Sequence, residues 1–310
     1  MFLIVDRLHK LCNKLEYHRL KTHQQPEPEV LILPLQAFRS DVSGFINQLS
    51  LNLRPGSESL LLPEIQQCFQ ILSSINKAFA KLVVDIDYPM NKWTGDSIDE
   101  YLKYSLSLLE FSNLINSYLS YLGQARLSLS HALSLVENSP SSAVEHLRTI
   151  KLKKLNKGFK QPHNKDDEKD KSLSDKEGVI YQALMEAQSI GFWAFCIVLS
   201  GLSGNSETYL EMRQSSPMIC NSSSLINLDS IVYEVITAKG LVVKEIVDLN
   251  DATACLASAT ATGKSSSEAQ ELQRRLESFE RKLGEFRREV DRLFSEILAG
   301  RNKLLDGIRI

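Results

Sequence analysis

The chain is 310 residues long with 43% hydrophobic residues, and its 36 basic and 38 acidic side chains leave a formal net charge of −2. That apolar content suffices for one large helical core or two smaller ones and excludes a chain that is disordered throughout. The even charge balance excludes a global field that recruits nucleic acid or an anionic membrane, so any such attraction is local.

In residues 1–25 the apolar Ile4, Leu8, Leu11 and Leu15 recur at helical spacing, with Arg7, Lys10, Lys14, Arg19 and Lys21 on the other faces. This reads as a short basic amphipathic helix. Its start has an early acid, Asp6, and too short an apolar run for a secretory signal; Asp6, Glu16 and the scarcity of serine also set it apart from a plastid transit peptide. Gln24-Gln-Pro-Glu-Pro-Glu breaks that helix and residues 26–34 read as a proline-containing linker, because proline lacks a backbone donor and biases its predecessor toward extended backbone.

A helical domain is expected over residues 35–310. Phe38, Val42, Phe45, Ile46 and Leu49 mark its first helix, which ends at Arg54-Pro-Gly-Ser. Ile65, Cys68, Phe69, Leu72, Ile75, Phe79 and Leu82 mark the second, with Pro63 near its start, where proline is tolerated. After the turn Asp85-Ile-Asp-Tyr-Pro, Asp96 or Ser97 caps a third helix whose Asp99 and Glu100 suit the positive end of the dipole. Its apolar series from Ile98 through Tyr101, Leu102, Leu108, Leu109, Ile115, Leu119, Leu122, Leu127 and Leu133 to Val136 needs roughly 40 residues, or about 60 Å, and implies an elongated bundle.

Asn138-Ser-Pro-Ser-Ser stops that helix and precedes a short basic helix expected from Ala143 to Leu155. The stretch 158–178 is dominated by Lys, Asp, Glu, Gln and Ser and reads as a disordered insert, since it holds too little apolar surface to offset the entropy of ordering. A buried helix is expected from Ala183 to Leu202, stopping at Ser200-Gly-Leu-Ser-Gly, and a polar gap at 214–224. Leu225 to Ala259 holds one or two helices, with Gly240 weakening the middle by about 1 kcal/mol relative to alanine. In the last helix Leu272, Phe279, Phe286 and Leu293 alternate with Leu276, Leu283, Val290 and Ile297 in a heptad pattern. The fold class is therefore all-α, an elongated antiparallel bundle with long helices and a heptad-patterned C-terminal helix. Two phenylalanines in that seam favour packing within the chain over a two-stranded zipper.

The chemistry these residues offer is sparse. The window Ser189 to Leu202 is the most hydrophobic, but it is shorter than the roughly 20 residues that span a bilayer and is flanked by Glu186 and Gln188, so it reads as a core helix. Arg148, Lys151, Lys153, Lys154, Lys157 and Lys160 form a basic run suited to an anionic lipid or an acidic partner. Asp166, Asp167, Glu168 and Asp170 follow it and cancel much of that attraction beyond a Debye length of about 8 Å. Gly263-Lys264-Ser265 echoes a phosphate loop, yet Ser258 stands where the first glycine belongs and no strand precedes it, so nucleotide binding is rejected.

His9, His18, His23, His131, His146 and His163 show no zinc spacing. Cys12, Cys68, Cys196, Cys220 and Cys255 are an odd number without a Cys-x-x-Cys pair and read as reduced thiols, and the Asn221-Ser-Ser triplet then lacks the lumenal setting that glycosylation needs. The readings are no catalytic residue, no cofactor-binding residue and no metal ligand.

Leu82-Val-Val-Asp85, Tyr88-Pro89, Lys92-Trp93, the segment Tyr101 to Asn113, and Gln124-Ala-Arg-Leu-Ser-Leu-Ser-His131 resemble the plant BYPASS family of helical regulatory proteins, most closely over Leu35 to Val136. The resemblance implies an all-helical, noncatalytic regulator of plant development that restrains a root-derived mobile signal. It supplies no catalytic residue to carry over. A related plant group resembles exocyst-binding proteins, which makes a trafficking adaptor the alternative, with an enzyme on a small apolar metabolite behind it. The expected partners are a protein of unknown identity and, at the basic segments, an anionic membrane surface, with no nucleic acid; the expected location is cytoplasmic, with peripheral membrane contact. Tyr88 and Trp93 are expected to pin the connection between two long helices by burying their rings while their polar tips find partners.

Overall fold

In the computed structural model, residues 28–52, 60–152, 176–215, 223–239, 242–263 and 265–308 are described, and every regular element among them is helical. The α-helices in chain order are α1 (Pro28–Asn52), α2 (Leu62–Asp85), α3 (Gly95–Ser134), α4 (Pro140–His146), α5 (Lys176–Ser203), α6 (Glu207–Ser215), α7 (Ser223–Lys239), α8 (Lys244–Ala261) and α9 (Ser266–Ile308), with a single 3-10 turn at Met90–Lys92. The 40 residues of α3 make a rod about 60 Å long.

Helix α1 starts seven residues before the expected domain edge, so residues 28–34 are helical rather than a linker. Pro34 sits inside it, and Leu31 and Leu35 on either side are buried. Apolar burial there outweighs the one backbone bond that proline removes. The basic amphipathic reading of residues 1–25 lies outside the described residues, as does Gly240.

Helix α2 buries all seven apolar residues that mark it. Its first turn is closed by Glu64, whose Oε2 accepts the Leu61 backbone N–H at 2.8 Å, a reciprocal cap in which the carboxylate meets an orphan donor. Glu245, in the first turn of α8, accepts the Leu62 backbone N–H at 2.9 Å and the Lys282 ammonium at 2.6 Å, so one carboxylate joins the starts of α2 and α8 to α9.

Helices α3 and α9 pack side by side and run in opposite directions. Arg301 Nη1 donates to the Ser105 hydroxyl at 2.9 Å, Asn116 Nδ2 to Asp291 Oδ1 at 3.0 Å, Arg287 Nη2 to Ser120 Oγ at 3.3 Å, and Arg126 pairs with Glu280. As the residue number rises along α3 it falls along α9. All eight residues of the 4,3 series in α9 are buried within the chain, and Phe286 meets Phe69 of α2 edge to face with ring centres 5.6 Å apart.

Helix α5 is central, packed by α1, α2, α3 and α6. It is buried on every side from Ile190 to Ser203, as expected for a core helix. It is also the one described helix long and apolar enough to cross a membrane, and that apolar surface is spent inside the protein, with Phe195 stacked on Phe111 of α3 at 3.8 Å. Gly191 lets α5 approach α2 and α3 closely: a Cβ there meets Leu72 Cδ2 at 3.5 Å and Tyr104 Cε2 at 3.9 Å.

Some expected boundaries and faces are corrected. The helix expected from Ala143 to Leu155 stops at His146, and residues 147–152 continue as non-helical chain. Lys176 to Gly178, assigned to the charged insert, belong to the first turn of α5; residues 158–175 lie outside the described set. The short helix α6 fills a stretch left unassigned, started by Asn205, whose Oδ1 accepts the Glu207 backbone N–H at 2.9 Å. Phe45 and Leu127, expected on apolar faces, are 39% and 58% exposed, because the neighbouring helices cover only part of each apolar arc.

Candidate functional site

The basic run begins on the 147–152 strap, which two buried apolar side chains anchor to the core. Leu147 and Ile150 point inward and are buried, whereas Arg148, Thr149 and Lys151 are exposed. Three elements clamp the strap. Asn250 of α8 accepts the Ile150 backbone N–H through Oδ1 at 2.6 Å and donates Nδ2 to the Ile150 carbonyl at 3.3 Å. Tyr121 of α3 donates its hydroxyl to the Lys151 carbonyl. Leu152 lies against Gly204 at the end of α5, where φ is +64°, a conformation that favours glycine, and a Cβ would come within 2.3 Å of Leu152 Cδ1 and displace that side chain. The asparagine amide satisfies both backbone groups of a residue that has left its helix, which explains why the helix does not continue. Arg148 and Lys151 are thereby held on the outside of a fixed segment. Lys153, Lys154, Lys157 and Lys160 lie outside the described residues.

A second cluster sits where the quoted family motif lies. Trp93 is buried, stands edge-on to Phe79 and Tyr101 at 6.1 and 5.8 Å, and donates its indole N–H to the Tyr88 carbonyl at 3.0 Å. Tyr88 donates to Glu177 Oε2 at 2.7 Å, and Thr94 donates its hydroxyl and its backbone N–H to Glu177 Oε1 at 2.8 and 3.2 Å. Burial by itself raises the Glu177 carboxyl, but the Ser97, Tyr88 and Thr94 groups around it outweigh burial and hold it below the ordinary carboxylate range. The expected pinning role of Tyr88 and Trp93 is what the contacts provide, and Glu177 is the partner that sequence reading missed. Its signal was weak: one acid at the edge of a charged stretch.

A third cluster is buried. Asp229 of α7, 1% exposed, accepts the Trp193 indole N–H at 2.9 Å, the Tyr209 hydroxyl, and Arg213 Nε at 2.8 Å. The Arg213 guanidinium also lies 3.8 Å from the centre of the Tyr233 ring. Burial first, and Asp229 after it, push the Tyr209 phenol upward and keep it a donor. The three donors satisfy the carboxylate and tie α6 to α5 and α7. This arrangement binds helices together; it presents no reacting group to solvent.

Cys68 and Cys196 are buried, and burial pushes the Cys68 thiol up to about 12, so neither is poised as a nucleophile. Cys255 is exposed. Of the Gly263-Lys264-Ser265 triplet, Gly263 lies in the turn after α8 with φ +73° and Ser265 directly precedes α9, while Lys264 lies outside the described residues. Among the described residues no three His, Cys, Asp or Glu converge to hold a metal. Between α3 and α5, Tyr104, Ser107, Phe111, Gln188, Gly191 and Phe192 line a depression with about 10 Å³ of free space, room for roughly one water.

A family model described as Protein BPS1 matches residues 90–306, which spans the 3-10 turn and α3 through α9. The match therefore reaches much further toward the C-terminus than the motif-rich stretch ending at Val136. The chain is 24% identical over 305 residues to "Protein BPS1, chloroplastic" of Arabidopsis thaliana, covering 90% of this chain and 84% of that protein. It is 29% identical over 100 residues to "UPF0496 protein 4" from Oryza sativa subsp. indica and from subsp. japonica, covering 31% of this chain and 22% of each relative. No solved structure matches.

Proposed function

The chain belongs to the BPS1 family, and from that premise we propose that it is a noncatalytic regulator of plant development that works by holding a protein partner on its helical surface. The family match over residues 90–306 is the observation that carries this reading. Restraint of a root-derived mobile signal is the specific role proposed. The contact is assigned to the strap that displays Arg148 and Lys151 and to the basic residues that follow it, because a cation fixed on a clamped segment loses less side-chain and backbone freedom on binding than one on a free chain. An acidic protein surface is the partner chemistry that such a run favours, and an anionic membrane is the competing target.

The name of the Arabidopsis relative places that protein in the chloroplast, so a plastid location competes with the proposed cytoplasmic one. The test therefore reads location and neighbours together. The full chain, carrying a C-terminal proximity label, is expressed in living plant cells beside a version with Arg148, Lys151, Lys153, Lys154, Lys157 and Lys160 changed to glutamate. The expected result is a cytoplasmic neighbour set that the altered version loses. An unchanged set of proteins and lipids defeats the contact, labelling of stromal proteins defeats the location, and normal shoot and root growth in plants lacking the protein defeats the regulatory role.

A further inference from the structure

The six histidines are scattered along the sequence, but the α3–α4 corner brings two of them together. His131 lies in the last turn of α3 and His146 in the last turn of α4. Their rings are 5.8 Å apart, centre to centre, at an interplanar angle of 66°. Both side chains are exposed.

The corner that carries them is fixed. Ala143 and Leu147 are buried beneath it, and the Ser139 carbonyl accepts the Ala143 backbone N–H at 2.9 Å. The backbone that carries the two imidazoles is thereby set in place, so chelation has only side-chain rotation left to restrict.

We infer that His131 and His146 form a two-imidazole site for a late first-row divalent cation, with copper(II) bound most tightly and zinc(II) more weakly. Metal–nitrogen bonds of about 2.0–2.1 Å plus a ring radius of about 1.1 Å put each ring centre about 3.2 Å from a shared ion. With one nitrogen of each ring turned toward a shared ion, the observed separation of 5.8 Å has the two legs meeting at roughly 130°, and a tetrahedral angle needs the ring centres closer by about half an ångström. Exposed side chains make such a move by small rotations about their own bonds.

Neutral imidazole prefers copper, nickel and zinc, whereas magnesium and calcium prefer oxygen ligands, so the pair discriminates between these groups. No third His, Cys, Asp or Glu among the described residues joins them. The remaining coordination positions of the ion are open to water or to an added ligand. Because the two residues come from different helices, a bound ion ties the end of α3 to the end of α4, two residues before Arg148 and the basic strap.

The test uses the full chain at pH about 7.5 in a buffer that does not bind metals. Copper(II), zinc(II) and magnesium(II) are each titrated while the imidazole ring-proton resonances are followed. The site predicts that the His131 and His146 signals move together with the first equivalent of zinc and broaden together with copper, and that magnesium moves neither. His131→Ala and His146→Ala should each weaken copper binding at this site by more than the roughly 10–100-fold lost when an outer-shell partner is removed, since a direct ligand is gone. The triple change of His9, His18 and His23 to alanine should leave these two signals responding as before. Signals from His131 and His146 that stay still, or that move independently with different midpoints, overturn the site. So does an affinity at the remaining imidazole that is unaltered by either single substitution. Circular dichroism melts of the two exposed-residue variants confirm that they are folded.

Discussion

At the scale of single residues, Asp229 and Glu177 are both carboxylates satisfied by several donors, and their different burial gives them different consequences. Asp229 is almost wholly enclosed, so changing it to alanine leaves the Trp193 indole and the Arg213 guanidinium without their acceptor and leaves the Tyr209 hydroxyl only the residue-229 backbone carbonyl at 3.2 Å. A buried ion pair broken on one side costs about 3–5 kcal/mol, and Asp229→Ala should lower unfolding stability in urea by an amount in that range. Glu177 is partly open to solvent, and its effect is read through pH. Its folded carboxyl lies below its ordinary value of 4.5, so its contribution is complete above that value and is lost as pH falls through the lower folded value. Urea midpoints for the native chain and for Glu177→Gln should therefore differ at about pH 6 and converge as pH falls below the ordinary carboxylate range. A constant gap across that range would mean that the carboxylate charge contributes nothing.

At the scale of elements, legibility follows the range of the interaction. Helices α2, α3 and α9 were readable because each buries a continuous apolar stripe written in its own sequence. The true end of α4 was not, because the reason lies 100 residues away, in the Asn250 amide that takes both backbone groups of Ile150. Helix α6 escaped for the same kind of reason: it is short and mostly polar, and Tyr209 and Arg213 attach it to a carboxylate on another helix. Nor does spacing disclose that His131 and His146 meet, since a turn, not a period, sets their distance. The strap gives a direct test of this account. Asn250→Ala should cost about 1–3 kcal/mol, the range for leaving a part-buried backbone pair unsatisfied, and should speed hydrogen exchange at the Ile150 amide more than at amides of α3. Equal acceleration everywhere would show a general loss of stability and not release of the strap.

At the scale of the whole molecule, two apolar features that each invite an external partner are occupied internally. The greasy window of α5 is surrounded by four helices of its own chain, and the seam of α9 is filled by α2, α3 and α8. A heptad seam that drives self-association stabilises a protein in proportion to the logarithm of its concentration, whereas an internal seam does not. Phe286 discriminates between these cases, being fully buried on the seam against Phe69. Phe286→Ala removes a large ring from a packed core and should cost about 3–5 kcal/mol. The native chain and the variant should each keep the same thermal midpoint at two protein concentrations about tenfold apart, because no partner chain is released on unfolding. A midpoint that climbs with concentration in the native chain and loses that dependence in the variant would place the seam between chains, and the surfaces left for a regulatory partner would then have to be sought on the dimer.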